Sequence, residues 1–355
     1  MNSPPDREMT MKIDGYIREQ PAILSALPDL VAPKLAALPS LASRPERLIL
    51  LGTGSSMNAL IAAGPALEQA TGATLSFKEP EAFLRYSPRA QGPKALVLAL
   101  SQSGRSTTTV EAVRQSVTLG LPTVAVVGEE GSPLGQTGAE MVLMPIGEEK
   151  AGPKTKGYTA SVLTLLTIAG HLGGEKPDTA GLEATLETTV RQSEAAAVDL
   201  LARYGVPDYI QVAGQFGHVG SAIEGGLKIA EITGVPTSGY DIEEALHGHA
   251  YGTNDRSLVI VIARDVDEAR VAANLGEALT ALGPKLAIAN LSDFATRFDL
   301  AIDWPKTKAG WADATWVLFP FQWIAFHIAR AKGIEVPGMI YPDLGKRLNV
   351  KIRAA

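Results

Sequence analysis

Short strand-like apolar runs alternate with stretches of helical periodicity along most of this chain. Residues 47–51, 73–77, 95–100, 122–127 and 140–144 form such runs. Helical patterns fill 58–70, the stretch up to about 119, and 158–172. Runs that stay apolar at every position predict strands buried on both faces of a parallel sheet. Their alternation with helices predicts a doubly wound α/β architecture. Ahead of them, residues 9–38 read as one or two helices wrapped outside the first sheet.

The second half repeats the first. Runs at 209–213, 257–262, 284–289 and 300–305 answer those at 48–51, 95–100, 122–127 and 140–145. Leu258 follows Leu96, and Lys285 follows Thr123, each by 162 positions. An equal offset across matching strands implies two similarly folded lobes. The predicted divisions are a helical segment at 1–44, a first lobe at 45–175, a linker helix at 176–204, a second lobe at 205–340 and a tail at 341–355.

Composition narrows the chemistry. The 355 residues are 46% hydrophobic and 20% charged, an ordinary globular mix. A net charge of −6 argues against nucleic acid as the partner. Cysteine is absent, which excludes disulfides, thiolate metal ligands and a cysteine nucleophile. The N-terminal residues carry no apolar signal core. The most apolar stretch, 316–329, is too short to span a bilayer and is broken by Pro320, Gln322 and His327. A soluble, cytoplasmic protein without membrane contact is expected.

The richest chemistry follows the run at 95–100. Ser101-Gln-Ser-Gly-Arg-Ser-Thr-Thr-Thr109 leads into a helix and offers six hydroxyls. An ordinary helix cap needs one. Backbone N–H groups at a helix start, with several O–H donors, suit a phosphate dianion. The matching loop of the second half, Ala263-Arg-Asp-Val-Asp-Glu268, is acidic, so one anion site is expected. Gly52-Thr-Gly-Ser-Ser-Met-Asn58 invites a dinucleotide reading with Glu79 on a ribose, but Met57 stands where the third glycine is needed. Its serines, Ser55 and Ser56, suit a second wall for a sugar or phosphate.

In the second half, Glu224, Lys228 and Glu231 fall within roughly 60° of one another on a helix. Ile223, Leu227 and Ala230 make an adjacent apolar stripe. A solvated salt-bridged face and a catalytic face are equally compatible with that spacing. Gly225-Gly226 costs helix stability, so a close approach is expected there. Further on, Asp241-Ile-Glu-Glu-Ala-Leu-His-Gly-His249 holds two of five histidines. His247 and His249 with Glu243 or Glu244 could chelate a metal, although the i, i+2 spacing is poor. A single histidine acting as acid or base is favoured, with no metal and no cofactor.

Taken together, these motifs resemble the sugar isomerase (SIS) family, and most closely the isomerase half of glucosamine-6-phosphate synthase. Ser101-Gln-Ser-Gly-Arg-Ser106 is similar to the family's Ser-Gln-Ser-Gly-Glu-Thr loop. Gly52-Thr-Gly-Ser-Ser56 and Glu81-Ala-Phe-Leu-Arg-Tyr86 resemble its first serine loop and its Ser-Glu-Phe-Arg-Tyr segment. Lys154-Thr-Lys-Gly-Tyr-Thr-Ala160, Ile223–Glu231 and Asp343-Leu-Gly-Lys346 resemble three further segments. The resemblance spans about 45–350 and implies two tandem flavodoxin-like lobes. It implies that Ser56, Ser101, Gln102, Ser103 and Ser106 hold a phosphate, with Ser55, Arg105, Lys154 and Thr155 nearby. Glu231 would carry a proton between C1 and C2 of a hexose 6-phosphate, supported by Lys228 and Glu224. His247, reaching across a homodimer, would assist ring opening, and Lys346 would meet the open-chain carbonyl, with Lys351 as its competitor.

Two departures shape the expected activity. The synthase's glutamine-splitting half has no counterpart in this sequence, so an isomerase or deaminase acting without glutamine is expected. A fructosamine-6-phosphate deglycase and a non-catalytic sugar-phosphate sensor are the alternatives. Arg105 and Lys154 replace a glutamate and a serine of the family pattern, which suggests a more anionic or differently placed substrate.

Overall fold

A computed structural model describes residues 12–86, 94–175, 178–306, 312–335, 340–341 and 344–352, with the side chains of 345 and 346 outside that set. Helices α1 (Ile13–Arg18) and α2 (Gln20–Leu35) open the chain. The first lobe runs β1 (Arg47–Leu51), α3 (Ser55–Thr71), β2 (Thr74–Lys78), α4 (Pro80–Tyr86), β3 (Ala95–Ser101), α5 (Thr107–Thr118), β4 (Thr123–Val127), β5 (Glu140–Leu143) and α6 (Lys156–Gly173). Its strands pair in parallel in the order β2-β1-β3-β4-β5. Every residue of β3 is buried, as a strand covered on both faces must be.

Helix α7 (Leu182–Tyr204) leads into the second lobe. There β6 (Tyr209–Gly214), α8 (Gly217–Thr233), β7 (Thr237–Asp241), α9 (Ile242–Leu246), β8 (Ser257–Ala263), α10 (Val266–Thr280) and β9 (Lys285–Asn290) build a parallel sheet in the order β7-β6-β8-β9. Helices α11 (Asp313–Trp316), α12 (Leu318–Ala331) and α13 (Leu344–Leu348) finish the described chain. The 162-residue offset extends beyond the two middle strand pairs. It relates Arg47 to Tyr209 and both ends of α3 to both ends of α8. Each of those two helices is closed by a left-handed glycine, Gly72 or Gly234, whose N–H returns to the last turn.

One expected strand is absent and one strand is present that the sequence did not announce. The strand at 300–305 does not form. Ile288 and Asp299 make one isolated bridge, after which the backbone of Asp303 bonds to Thr189 and Gln192 of α7 instead of to β9. Pro305 has no N–H to offer a ladder. In the other direction, β7 was not apparent in the sequence, because Thr237-Ser-Gly-Tyr-Asp241 is a half-buried edge strand without an apolar run. The helix expected within 176–204 is present as α7 (Leu182–Tyr204). Leu186, Val190, Ala197 and Leu200 of α7 are buried, and the helix packs on α2 and α12.

The lobes meet through α3 and α8. A Cβ at Gly220 would lie 2.3 Å from the Asn58 carbonyl oxygen, so glycine sets the approach of the two helices. The Gly225-Gly226 pair has the close neighbour its cost implied. A Cβ at Gly225 would lie 2.8 Å from the Phe321 ring.

Candidate active site

The loop after β3 turns at Gly104, whose φ of +62° is the left-handed region. A Cβ there would lie 2.1 Å from Ser132 Oγ. Ser101 is buried at the strand end, and Ser106 stands at the N-cap of α5 without a side-chain cap bond. Its hydroxyl accepts from Thr109 Oγ1 at 3.0 Å. The chain's tail lies across this loop. Thr107 donates to the Val350 carbonyl at 3.3 Å, Ile352 to the Arg105 carbonyl at 2.8 Å, and Ser106 bridges Lys351.

A cavity of about 870 Å³ opens between this loop and the second lobe. Ser55, Ser56, Ser101, Gln102, Ser103, Arg105, Ser106 and Lys154 line it from the first lobe, and Lys228 and Glu231 from α8. Lys351 reaches it from the tail. Arg105 is paired with Glu129 at 3.3 Å. Burial pulls the Lys154 ammonium below the ordinary lysine range, the charge of Glu149 works against this, and Lys351 pushes it further down.

The charged face of α8 points inward. Glu224 and Lys228 are fully buried, whereas Ile223, Leu227 and Ala230 are only half-buried, so the solvated-face reading is overturned. Lys228 Nζ is bonded to Glu231 Oε2 and lies 3.4 Å from Glu224 Oε1. Burial opposes the ammonium, but the two carboxylates outweigh it and hold Lys228 well above the usual lysine range. Burial also raises Glu224, against the pull of Lys228 and of Asn58, whose amide donates to Glu224 Oε2 at 2.8 Å. A buried carboxylate, a locked cation and an outward-facing carboxylate thus form one line ending in the cavity at Glu231.

Other expected residues are placed differently. Glu224 stands behind Lys228 instead of lining the cavity. Thr155 is committed to Glu149, donating through N and Oγ1 at 2.7 and 2.8 Å. His247 is exposed, with Nε2 3.5 Å from Glu243, and His249 stacks on Tyr240 at 3.7 Å. Among the described residues, no group of three His, Cys, Asp or Glu is placed to hold a metal. Lys346 falls on α13 with its side chain outside the described set, and Asp343 lies outside the described residues.

Sequence reasoning missed Asn58 and gave no role to Tyr158. Asn58 follows the paired serines on an otherwise apolar helix face, a signal that a buried polar partner was needed. Tyr158 lines the cavity fully buried, and burial together with the charge of Glu224 pushes its phenol well above the ordinary range. In the second lobe the equivalent loop is occupied by its own carboxylates. Asp265 accepts from the N–H groups of Asp267 and Glu268, and Glu268 accepts from the Arg264 N–H at 2.8 Å.

Residues 40–169 match the SIS domain family. The chain is 28% identical over 321 residues to a glutamine–fructose-6-phosphate aminotransferase (isomerizing) of Pyrococcus horikoshii, covering 85% of this chain and 51% of that protein. It therefore spans about half the length of the curated relatives it matches. Among solved structures, it superposes on the C-terminal domain of glucosamine-fructose-6-phosphate aminotransferase from Francisella tularensis. The TM-score is 0.79 at 18% identity, over 94% of this chain and 99% of that one. Tagatose-6-phosphate ketose/aldose isomerase from Escherichia coli gives 0.72 at 19%, over 95% and 98%. These structural likenesses establish the fold.

Proposed function

On a chain whose residues 40–169 are an SIS domain, we propose a sugar-phosphate isomerase or amino-sugar-phosphate deaminase that acts on hexose 6-phosphates by C1–C2 proton transfer. The phosphate rests on Ser101, Gln102, Ser103 and Ser106, with Ser56 facing it. Glu231 takes the proton from one carbon and returns it to the next. Lys228, kept cationic by two carboxylates, holds Glu231 in place and offsets negative charge as it develops. Lys346 of the tail meets the open-chain carbonyl, whereas Lys351, bridged to Ser106, belongs to the phosphate end. The observation that carries this reading is a cavity lined by both the serine loop and the Lys228–Glu231 pair.

His247 serves the site of a second subunit. Its exposure on the short segment after β7 supports that role. Among the described residues, no helix is long and apolar enough to cross a membrane.

Incubation with fructose 6-phosphate and glucosamine 6-phosphate, following aldose, ketose and ammonia, tests the proposal. Turnover should fall by about 10²–10⁴-fold in Glu231→Gln. Mixing inactive Glu231→Gln and His247→Ala chains should restore part of the activity. No recovery after verified subunit exchange would remove the shared histidine. Tight binding without turnover of any hexose phosphate would leave a sensor in place of an enzyme.

A further inference from the structure

Among the described residues, the charged side chains lining the cavity are Arg105, Lys154, Lys228, Lys351 and one carboxylate, Glu231. The protein already answers two of those cations. Arg105 pairs with Glu129, and Lys228 with Glu224 and Glu231. Lys154 and Lys351 have no carboxylate at ion-pair distance among the described residues. They also act on each other, the charge of Lys351 working with burial against the Lys154 ammonium.

Backbone contacts hold both lysines at the serine loop. Lys351 stands between two tail residues that pair with the loop, Val350 accepting from Thr107 and Ile352 donating to Arg105. Ile352 also packs on the core of the first lobe, and the pairing sets Lys351 opposite Ser106. Lys154 enters from the turn before α6, where its Nζ is bonded to the Glu149 carbonyl. The Glu149 carboxylate is committed to the same turn, accepting from Thr155 N at 2.7 Å and Gly157 N at 3.0 Å. Gly157 touches the serine loop, since a Cβ there would lie 3.0 Å from Gln102 Cγ. Like charges brought together beside neutral donors repel until an anion is received. A phosphate ester, with its second pKa at about 6, carries close to two negative charges above neutral pH.

We propose that Lys154 and Lys351 are the counter-charges of the substrate's phosphate, and that they make the site select a dianionic phosphomonoester over a monoanionic ester of the same sugar. This rests on the phosphate placement proposed above. On this assignment the substrate needs no second anionic group. Two lysines answer the two charges of one phosphate, and Arg105 is occupied by Glu129.

Glucitol 6-phosphate and glucitol 6-sulfate are unreactive open-chain probes of one shape and different charge, titrated by calorimetry. At about pH 8 and low salt the phosphate should bind at least about 30-fold tighter than the sulfate. Lys351→Gln and Lys154→Gln should each cut that ratio roughly three-fold or more, and the double variant roughly ten-fold or more. Lys154→Arg, which keeps the charge, and Arg105→Gln should leave it within about two-fold. Should Lys154→Gln unfold its turn, Lys351→Gln at an exposed tail position decides alone. A ratio unchanged in the glutamine variants, with Ser103→Ala weakening both ligands alike, overturns the lysine assignment and leaves the phosphate reading standing. A ratio lost in Arg105→Gln and kept in the lysine variants overturns it equally. Failure of both probes and of inorganic phosphate to bind overturns the site itself and this assignment with it.

Discussion

Replacing Lys228 by methionine keeps the side chain's length and removes the charge that two carboxylates share. Glu224 is fully buried, and Lys228 Nζ lies 3.4 Å from its Oε1. Deleting one partner of a buried pair leaves an uncompensated charge and costs roughly 3–5 kcal/mol. With about 2.1 cal/mol/K of unfolding entropy per residue, the 355-residue chain should lose about 4–7 °C in Tm if it unfolds as one unit. The loss should depend on pH. Burial already holds Glu224 above the ordinary carboxylate range, and Lys228 is the largest influence pulling it down. Without Lys228 the folded-state pKa rises further above the unfolded one. A carboxyl raised in the folded state contributes fully below its unfolded pKa and loses that contribution as pH climbs through the folded value. The deficit should therefore be smaller at about pH 5 than at about pH 8. Differential scanning calorimetry at both pH values reads it out, with the double variant Lys228→Met/Glu224→Gln as the decisive arm. Removing the stranded charge should return at least half of the lost stability. A pH-independent deficit, or a double variant no more stable than the single one, would refute the buried-triad account.

Three further changes probe separate parts of the structure. Gly104→Ala places a methyl where Ser132 Oγ stands and strains a φ of +62°; affinity for inorganic phosphate should fall at least ten-fold with unchanged far-UV circular dichroism. Gly220→Ala presses α3 against α8 at the Asn58 carbonyl and should cost about 1–3 kcal/mol in chemical denaturation; a neutral result would mean the lobes meet more loosely than described. Asp265→Ala removes the cap of α10 and should cost about 1 kcal/mol. Because the second-lobe loop is filled by its own carboxylates, phosphate affinity should not move in that variant.

The sequence carried the layered α/β pattern because parallel strands must be apolar throughout, and β1, β3, β4, β6, β8 and β9 all show it. What escaped was decided by partners far along the chain. Edge strand β7 has no apolar run to betray it, and the run at 300–305 gives its backbone to α7 side chains instead of a sheet. At the site, the serine loop was legible because its donors are contiguous. The inward turn of Glu224 and Lys228 was not, since helical spacing fixes which residues share a face but not what that face meets. Here it meets Asn58, 166 positions away.

The internal repeat explains why one cavity and not two should be reactive. Across the 162-residue offset, Glu224, Lys228 and Glu231 fall on Ala62, Ala66 and Gln69, which carry no acid or base. Ser56, Gln102 and Ser106 fall on His218, Arg264 and Glu268. The backbone was kept where the side chains were not. Gly54 and Phe216 both enter their helices at positive φ, +54° and +51°, with ψ of −132° and −124°. Only the first of them is a glycine, for which that conformation is easy. A turn held in a costly geometry by phenylalanine implies that the surrounding strand and helix dictate it. The strand-to-helix turn is therefore a property of the lobe. The anion grip and the proton chemistry proposed above would be properties of the side chains each copy has placed upon it, divided between the lobes so that one cavity would receive both.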